Sequence, residues 1–127
     1  MIIAITEILD TQERIVAFTG PSGSEWGRWR GESDPVAGVY DIELEIPEPV
    51  SDWRLTSGAD QISGEYSDRK VRLRGTVQSV DEEDGVVALR VDTDIVLIEA
   101  ARDTSRVSIG ASLEFETPDM HLYPYMV

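Results

Sequence analysis

"VYDIELEI", residues 39–46, alternates apolar and acidic side chains without a break. Tyr40, Ile42, Leu44 and Ile46 fall on one face of an extended chain, and Asp41, Glu43 and Glu45 fall on the other. A period of two is what a strand with one buried face requires, because successive side chains point to opposite sides. The stretch therefore predicts a half-buried β-strand that carries a carboxylate at successive outward positions. "KVRLRGTVQSV", residues 70–80, repeats the pattern with Val71, Leu73 and Val77 inward and Arg72, Arg74 and Gln78 outward. Gly75 interrupts its apolar side and reads as a bulge or a sharp coil.

Outward from these two strands the same alternation recurs, and helical periodicity is nearly absent. "MIIAITEIL" and "RIVAFTG" flank "DTQE" as an opening hairpin. "DEEDG" at 81–85 and "DTD" at 92–94 read as the turns of a tight meander. Neither has the alternating oxygen ligands, ending in a Glu, that a calcium loop of about twelve residues needs. "SIGASLEFETPDMHLYPY", 108–125, adds two short strands divided by Thr117, Pro118 and Asp119. "EAARDTSR", 99–106, is the one place for a helical turn, and "EWGRWRGESDP", 25–35, reads as a glycine-spaced loop. No internal repeat is visible. The small, polar "SGADQISGEYSD", 57–68, divides about four front strands from about five behind it. The expectation is one compact all-β unit over residues 1–127, subdivided at most into 1–60 and 65–127. An OB- or SH3-like small barrel is expected in the C-terminal half, from about residue 65 onward. The four N-terminal strands then pack on it or form a second small barrel.

The tail carries a resemblance. "VSIGASLEFETPDMHLYP", residues 107–124, places Gly110 before a short alternating strand, Pro118–Asp119 in a turn, and His121–Leu122–Tyr123 at the end of the next strand. This resembles the last two strands of TOBE domains, OB-like modules that accompany some ABC-transporter ATPases and molybdate-binding proteins. The resemblance implies a small barrel. No "GxxxxGK[ST]" occurs, so an ATPase partner is not part of this chain, and no oxyanion-binding residue carries over by position.

Charge bounds the function. Eleven basic residues face 25 acidic ones in 127, a net charge of −14. Both halves are acidic. Such a field disfavours nucleic acid and anionic membranes and favours a basic protein partner. The absence of cysteine excludes disulfides, thiolate metal sites and cysteine nucleophiles. No secretory signal opens the chain and no apolar run is long enough to span a bilayer, so a cytoplasmic protein is expected. No cofactor or metal is expected. His121, the single histidine, has no "GxSxG" serine to serve and is expected on an outer strand face with Tyr123 and Tyr125.

Two sets of candidate residues follow. Asp41, Glu43 and Glu45 form the partner-binding candidate, a regular row of carboxylates continued by Glu48 and Asp52. The alternative set is Trp26, Arg28, Trp29, Arg30, Arg72 and Arg74, where indoles and guanidiniums would stack on single-stranded nucleic acid or an oligosaccharide. Against it, the tryptophans serve equally as a cover over an open barrel end. Arg69, Lys70, Arg72 and Arg74 are expected to pair across strands with Asp41, Glu43 and Glu45 or to face solvent. The leading expectation is a non-enzymatic acidic interaction module, in its concrete form an inhibitor or immunity-type binder of a basic protein. The alternative is an OB-type ligand-binding domain.

Overall fold

A computed structural model describes residues 1–125. The chain runs through β1 (Ile2–Asp10), β2 (Ile15–Gly20), β3 (Gly23–Trp29), β4 (Gly38–Glu45), β5 (Arg54–Thr56) and β6 (Gln61–Ser63). It continues through β7 (Val71–Asp81), β8 (Val86–Val91), β9 (Asp94–Glu99), β10 (Ser112–Thr117) and β11 (His121–Pro124). The class is all-β, as the alternation predicts. Among the described residues the only helical piece is a 3-10 turn at Tyr66–Asp68; residues 99–106, where the sequence suggested one, are irregular after a bridge at Ala100.

A small closed barrel is present, built on the four N-terminal strands, which were expected to pack on a C-terminal barrel or form a second one; the C-terminal half, where the main barrel was expected, does not close. Strands β1, β2, β3, β11 and β4 close on themselves in that order. β11 enters from the far end of the chain, parallel to β3 (His121 opposite Arg28) and antiparallel to β4 (Leu122 opposite Leu44). The remaining strands form a six-stranded sheet in the order β5-β10-β7-β8-β9, with β6 beside the first part of β7. So the N-terminal strands make the closed barrel, and most of the C-terminal half makes the open sheet. The reason is long-range: the four front strands leave a gap between β3 and β4, and Leu122, fully buried, fills it.

Inside the barrel stand Ile3, Ile5, Val16, Phe18, Trp29, Ile42, Leu44 and Leu122, all buried. The inner face of the sheet contributes Leu73, Val77, Leu89, Val96, Ile98, Leu113 and Phe115. The two layers merge into one continuous apolar cluster. Gly27 permits the closure. A Cβ there would stand 3.1 Å from Leu122 Cγ and 3.2 Å from the Met120 carbonyl, which accepts the Arg28 N–H. Gly27→Ala is therefore expected to cost about 1–2 kcal/mol, read as a lower midpoint in urea denaturation. Gly75 is regular in its ladder, and the bulge of β7 lies between Val77 and Ser79 instead. Gly75 is required by proximity, since its Cβ would meet the Arg90 carbonyl at 2.9 Å.

The stretch read as a loop, "EWGRW", is strand β3. Its tryptophans lie on opposite faces, and both faces are covered. Trp29 points into the barrel, edge-on to Tyr40 at 4.9 Å, and donates its indole N–H to the Ser33 carbonyl at 2.9 Å. Trp26 points outward but meets the second sheet: it packs edge-on to Tyr66 at 5.1 Å and donates to the Lys70 carbonyl at 3.0 Å. The seam between barrel and sheet is tied further by the Ile62 N–H to the Ser22 carbonyl (3.0 Å) and by a Ser22 hydroxyl–Asp92 carboxylate bond.

Candidate interaction face

Strand β4 presents Asp41, Glu43 and Glu45 to solvent while Ile42 and Leu44 are buried, so the alternation reads true at every position. Register places their neighbours. Asp41 lies opposite Ile2 on β1, Glu43 opposite Tyr123 on β11, and Glu45 opposite His121. The Met1 amino group is buried between the barrel and β9, where it donates to Asp41 at 3.1 Å, Asp94 at 2.9 Å and the Ile42 carbonyl at 2.9 Å. Burial lowers its pKa, but the two carboxylates outweigh that and raise it. Among the described residues Glu43 and Glu45 make no ion pair. The field they create extends to Tyr125, whose phenol is raised chiefly by repulsion from Glu43, with desolvation and Asp41 and Asp94 adding to it.

Facing this acidic row is an apolar wall that the sequence did not announce. Ile95 and Leu97 of β9 are exposed at 45% and 59%, and with Glu43, Leu44, Glu45 and Tyr123 they line a groove of about 440 Å³. Ile2 of β1 and Val39 of β4 are exposed as well, outside this groove. The signal was present as odd positions in "DIVLIEA": Val96 and Ile98 alternate with Ile95 and Leu97, so this strand is apolar on both faces. One of those faces has no cover.

The alternative ligand set is dispersed. Both indoles are buried, at 2% for Trp26 and 5% for Trp29, with their N–H groups bonded to backbone, so neither ring offers a stacking surface. Arg28 is held by Glu13 at 2.7 Å and Asp119 at 3.4 Å. Arg30 is exposed beside it, and with Arg14, Gln12, Glu13 and Trp29 these two arginines line a polar groove of about 430 Å³ at one barrel end. Arg72 and Arg74 lie on β7, on the other sheet. Their partners are not Asp41, Glu43 and Glu45: Arg72 bonds Glu116 at 2.7 Å and Arg74 bonds Glu114 at 2.8 Å, each directly across from β10. Cross-strand pairing was the right principle, and the strand paired is a different one.

His121 is on the outer face of β11, partly covered and 3.1 Å from Asp119. One residue of chemical interest escaped the sequence reading altogether. Glu25 shares a strand face with Gly27 and Trp29 and lies opposite Phe18, so its side chain belongs to the barrel interior. It is 4% exposed, one oxygen accepts the Trp26 N–H at 2.8 Å, and the other has no partner among the described residues. Desolvation lifts its pKa from 4.5 to about 8, against a smaller lowering by the Trp26 hydrogen bond. Among the described residues no helix is long and apolar enough to cross a membrane. No family model, curated protein or solved structure matches the chain.

Proposed function

We propose that this chain is a non-enzymatic interaction module that binds a basic protein through the groove between β4 and β9. The observation that carries the reading is the pairing of two unlike walls. Unpaired Glu43 and Glu45 stand on one side, and exposed Ile95 and Leu97 on the other. A net charge of −14 steers a cationic partner toward the surface, and the apolar wall supplies area that holds it once the charges have met. An inhibitor or immunity-type protein that neutralises a basic toxin is the concrete form of this reading.

The test is retention of basic proteins from a nuclease-treated lysate on the immobilised chain at moderate salt. A variant with Glu43 and Glu45 changed to Lys, Asp41 being kept because it holds the Met1 amino group at 3.1 Å, is expected to retain at least about tenfold less, while melting within a few degrees of the parent. Unchanged retention by that variant would place the binding surface elsewhere.

A second reading rests on the barrel. Its five strands, closed by a strand that returns through a long connection, support an OB- or TOBE-like relationship for this part of the chain. The Arg14, Arg28 and Arg30 groove is the place where such a barrel would hold an anionic polymer. If the untreated lysate yields RNA or single-stranded DNA, and Arg30→Ala abolishes that yield, the function belongs to the barrel end.

A further inference from the structure

Resting on the interaction face proposed above, we infer that its groove is a slot for one arginine side chain of the partner. β4 and β9 run side by side with no ladder between them, and the strip between them is bounded at both ends. At one end the Met1 amino group ties Asp94, the first residue of β9, to Asp41 and to the Ile42 carbonyl. At the other end the chain that leaves β4 at Glu45 reaches Val50, which donates its N–H to the Glu99 carbonyl at 2.8 Å. A backbone segment has no place alongside β9, so whatever enters comes down from solvent as a side chain. The groove holds about 440 Å³, at the small end of the ~300–1,000 Å³ typical of ligand pockets.

Each part of the lining matches a part of arginine. Ile95 and Leu97 are exposed at successive outward positions of β9, an apolar wall for the methylene stem of a long side chain. Glu43 and Glu45 stand about 7 Å apart along β4, at the spacing of alternate strand residues, and line the same groove. Neither makes an ion pair among the described residues, so both are open to a cation. Tyr123 completes the lining, half-buried on β11 and directly opposite Glu43.

The aromatic ring separates arginine from lysine. A guanidinium is planar and weakly hydrated, stacks on aromatic faces and forks onto a carboxylate, whereas an ammonium is compact and strongly hydrated. The chain makes this contact twice within itself, with Arg69 4.4 Å from the centre of the Tyr66 ring and Arg102 4.1 Å from that of Trp53. Among the described residues no arginine covers Tyr123. A second copy of this chain would bring its arginines under a net charge of −14, and two such molecules repel. The occupant is therefore an arginine of a basic protein, its stem on Ile95 and Leu97 and its head between Tyr123 and the two glutamates.

The probe is a capped glycine–serine peptide with one central arginine, compared with the same peptide carrying lysine or citrulline in its place. Binding is read at low salt from NMR shifts of Glu43, Glu45, Leu97 and Tyr123. The arginine peptide is expected to bind at least about threefold more tightly than the lysine peptide. Citrulline keeps the stem and loses the charge, and is expected to bind at least about tenfold more weakly than arginine. Tyr123→Leu is expected to remove the preference for arginine over lysine, and Leu97→Ser, at an exposed position, to weaken both. Equal binding of the arginine and lysine peptides, still dependent on Glu43 and Glu45, would overturn the slot and leave the acidic-face reading standing. Binding of neither would overturn the slot too, and lysate retention would then judge the acidic face separately. An arginine preference that survives Glu43→Gln combined with Glu45→Gln would lodge the guanidinium elsewhere and overturn the assignment. Shifts at these residues that grow with protein concentration and need no peptide would identify a second copy as the occupant and overturn the partner's arginine.

Discussion

Glu25→Gln is expected to stabilise the chain by several kcal/mol near pH 9 and by almost nothing near pH 5. The carboxyl lies in the barrel interior with its folded-state pKa raised from 4.5 to about 8. Between those values the folded protein holds a proton that the unfolded chain has released. Stability therefore falls as pH rises through this window, by about 1.4 kcal/mol per unit at most from this one group. The full span amounts to about 4–5 kcal/mol, a large share of what holds a domain of this size together. Glutamine keeps an oxygen for the Trp26 N–H, now 2.8 Å from Glu25, and cannot ionise. Below pH 5 the parent carries a neutral carboxyl with one unpartnered oxygen, so the two side chains cost about the same. Urea denaturation of parent and variant at both pH values checks this. Parallel stabilities at the two pH values would mean that the carboxylate has found water or a partner, and would sink the idea.

The same residue shows why part of this fold was readable and part was not. Strand β4 was legible because one face is core and the other is solvent, so composition alternates with the backbone. β7 was legible for the same reason, and its arginines declared an outward face even though their partners lay on β10. Strand β3 hid itself. The barrel covers one of its faces and Tyr66 and Lys70 cover the other, so tryptophans occur on both parities and the alternation cancels. Glycines at 27 and 31 then suggested a loop, whereas Gly27 makes room for β11. The address of the barrel failed for a different reason. β11 pairs with residues 42–45 from positions 121–124, and nothing local to "HLYP" tells which distant strands will accept it. The tail that resembled the end of a small barrel does close one, using strands from the other end of the chain. In the candidate face, the acidic row was visible as a pattern within one strand. The groove was not, because its apolar wall belongs to β9 and only the packing of sheet against barrel brings the two together.

Arg74→Met is expected to cost about 3 kcal/mol at pH 7, against well under 1 for Arg72→Met on the same strand. Both arginines pair with a glutamate directly opposite on β10, so geometry alone does not separate them. Burial does. The Glu114 side chain is 6% exposed and held between Arg74 and Arg54, whereas Glu116 is 23% exposed and Arg72 is half in solvent. Removing Arg72 returns Glu116 toward water and Lys70, 3.8 Å away. Removing Arg74 leaves a desolvated carboxylate with Arg54 alone. Burial by itself would raise the Glu114 pKa, and the Arg74 hydrogen bond and the charge of Arg54 overcome it and hold the group below 4.5. A depressed pKa contributes stability that is present above the unfolded value and lost as pH falls through the folded one. The deficit of the Arg74 variant is therefore greatest at neutral pH and shrinks as pH falls through the carboxylate range, as the stranded carboxylate takes up a proton. Changing Glu114 to Leu in the same molecule is expected to recover most of the loss, because a buried pair replaced by apolar groups of similar size costs little. A double-mutant cycle by urea denaturation at neutral and acidic pH measures the coupling. Equal losses for the Arg72 and Arg74 variants would mean that water screens Glu114 as well as it screens Glu116, and that the buried pair does not set the β7–β10 register.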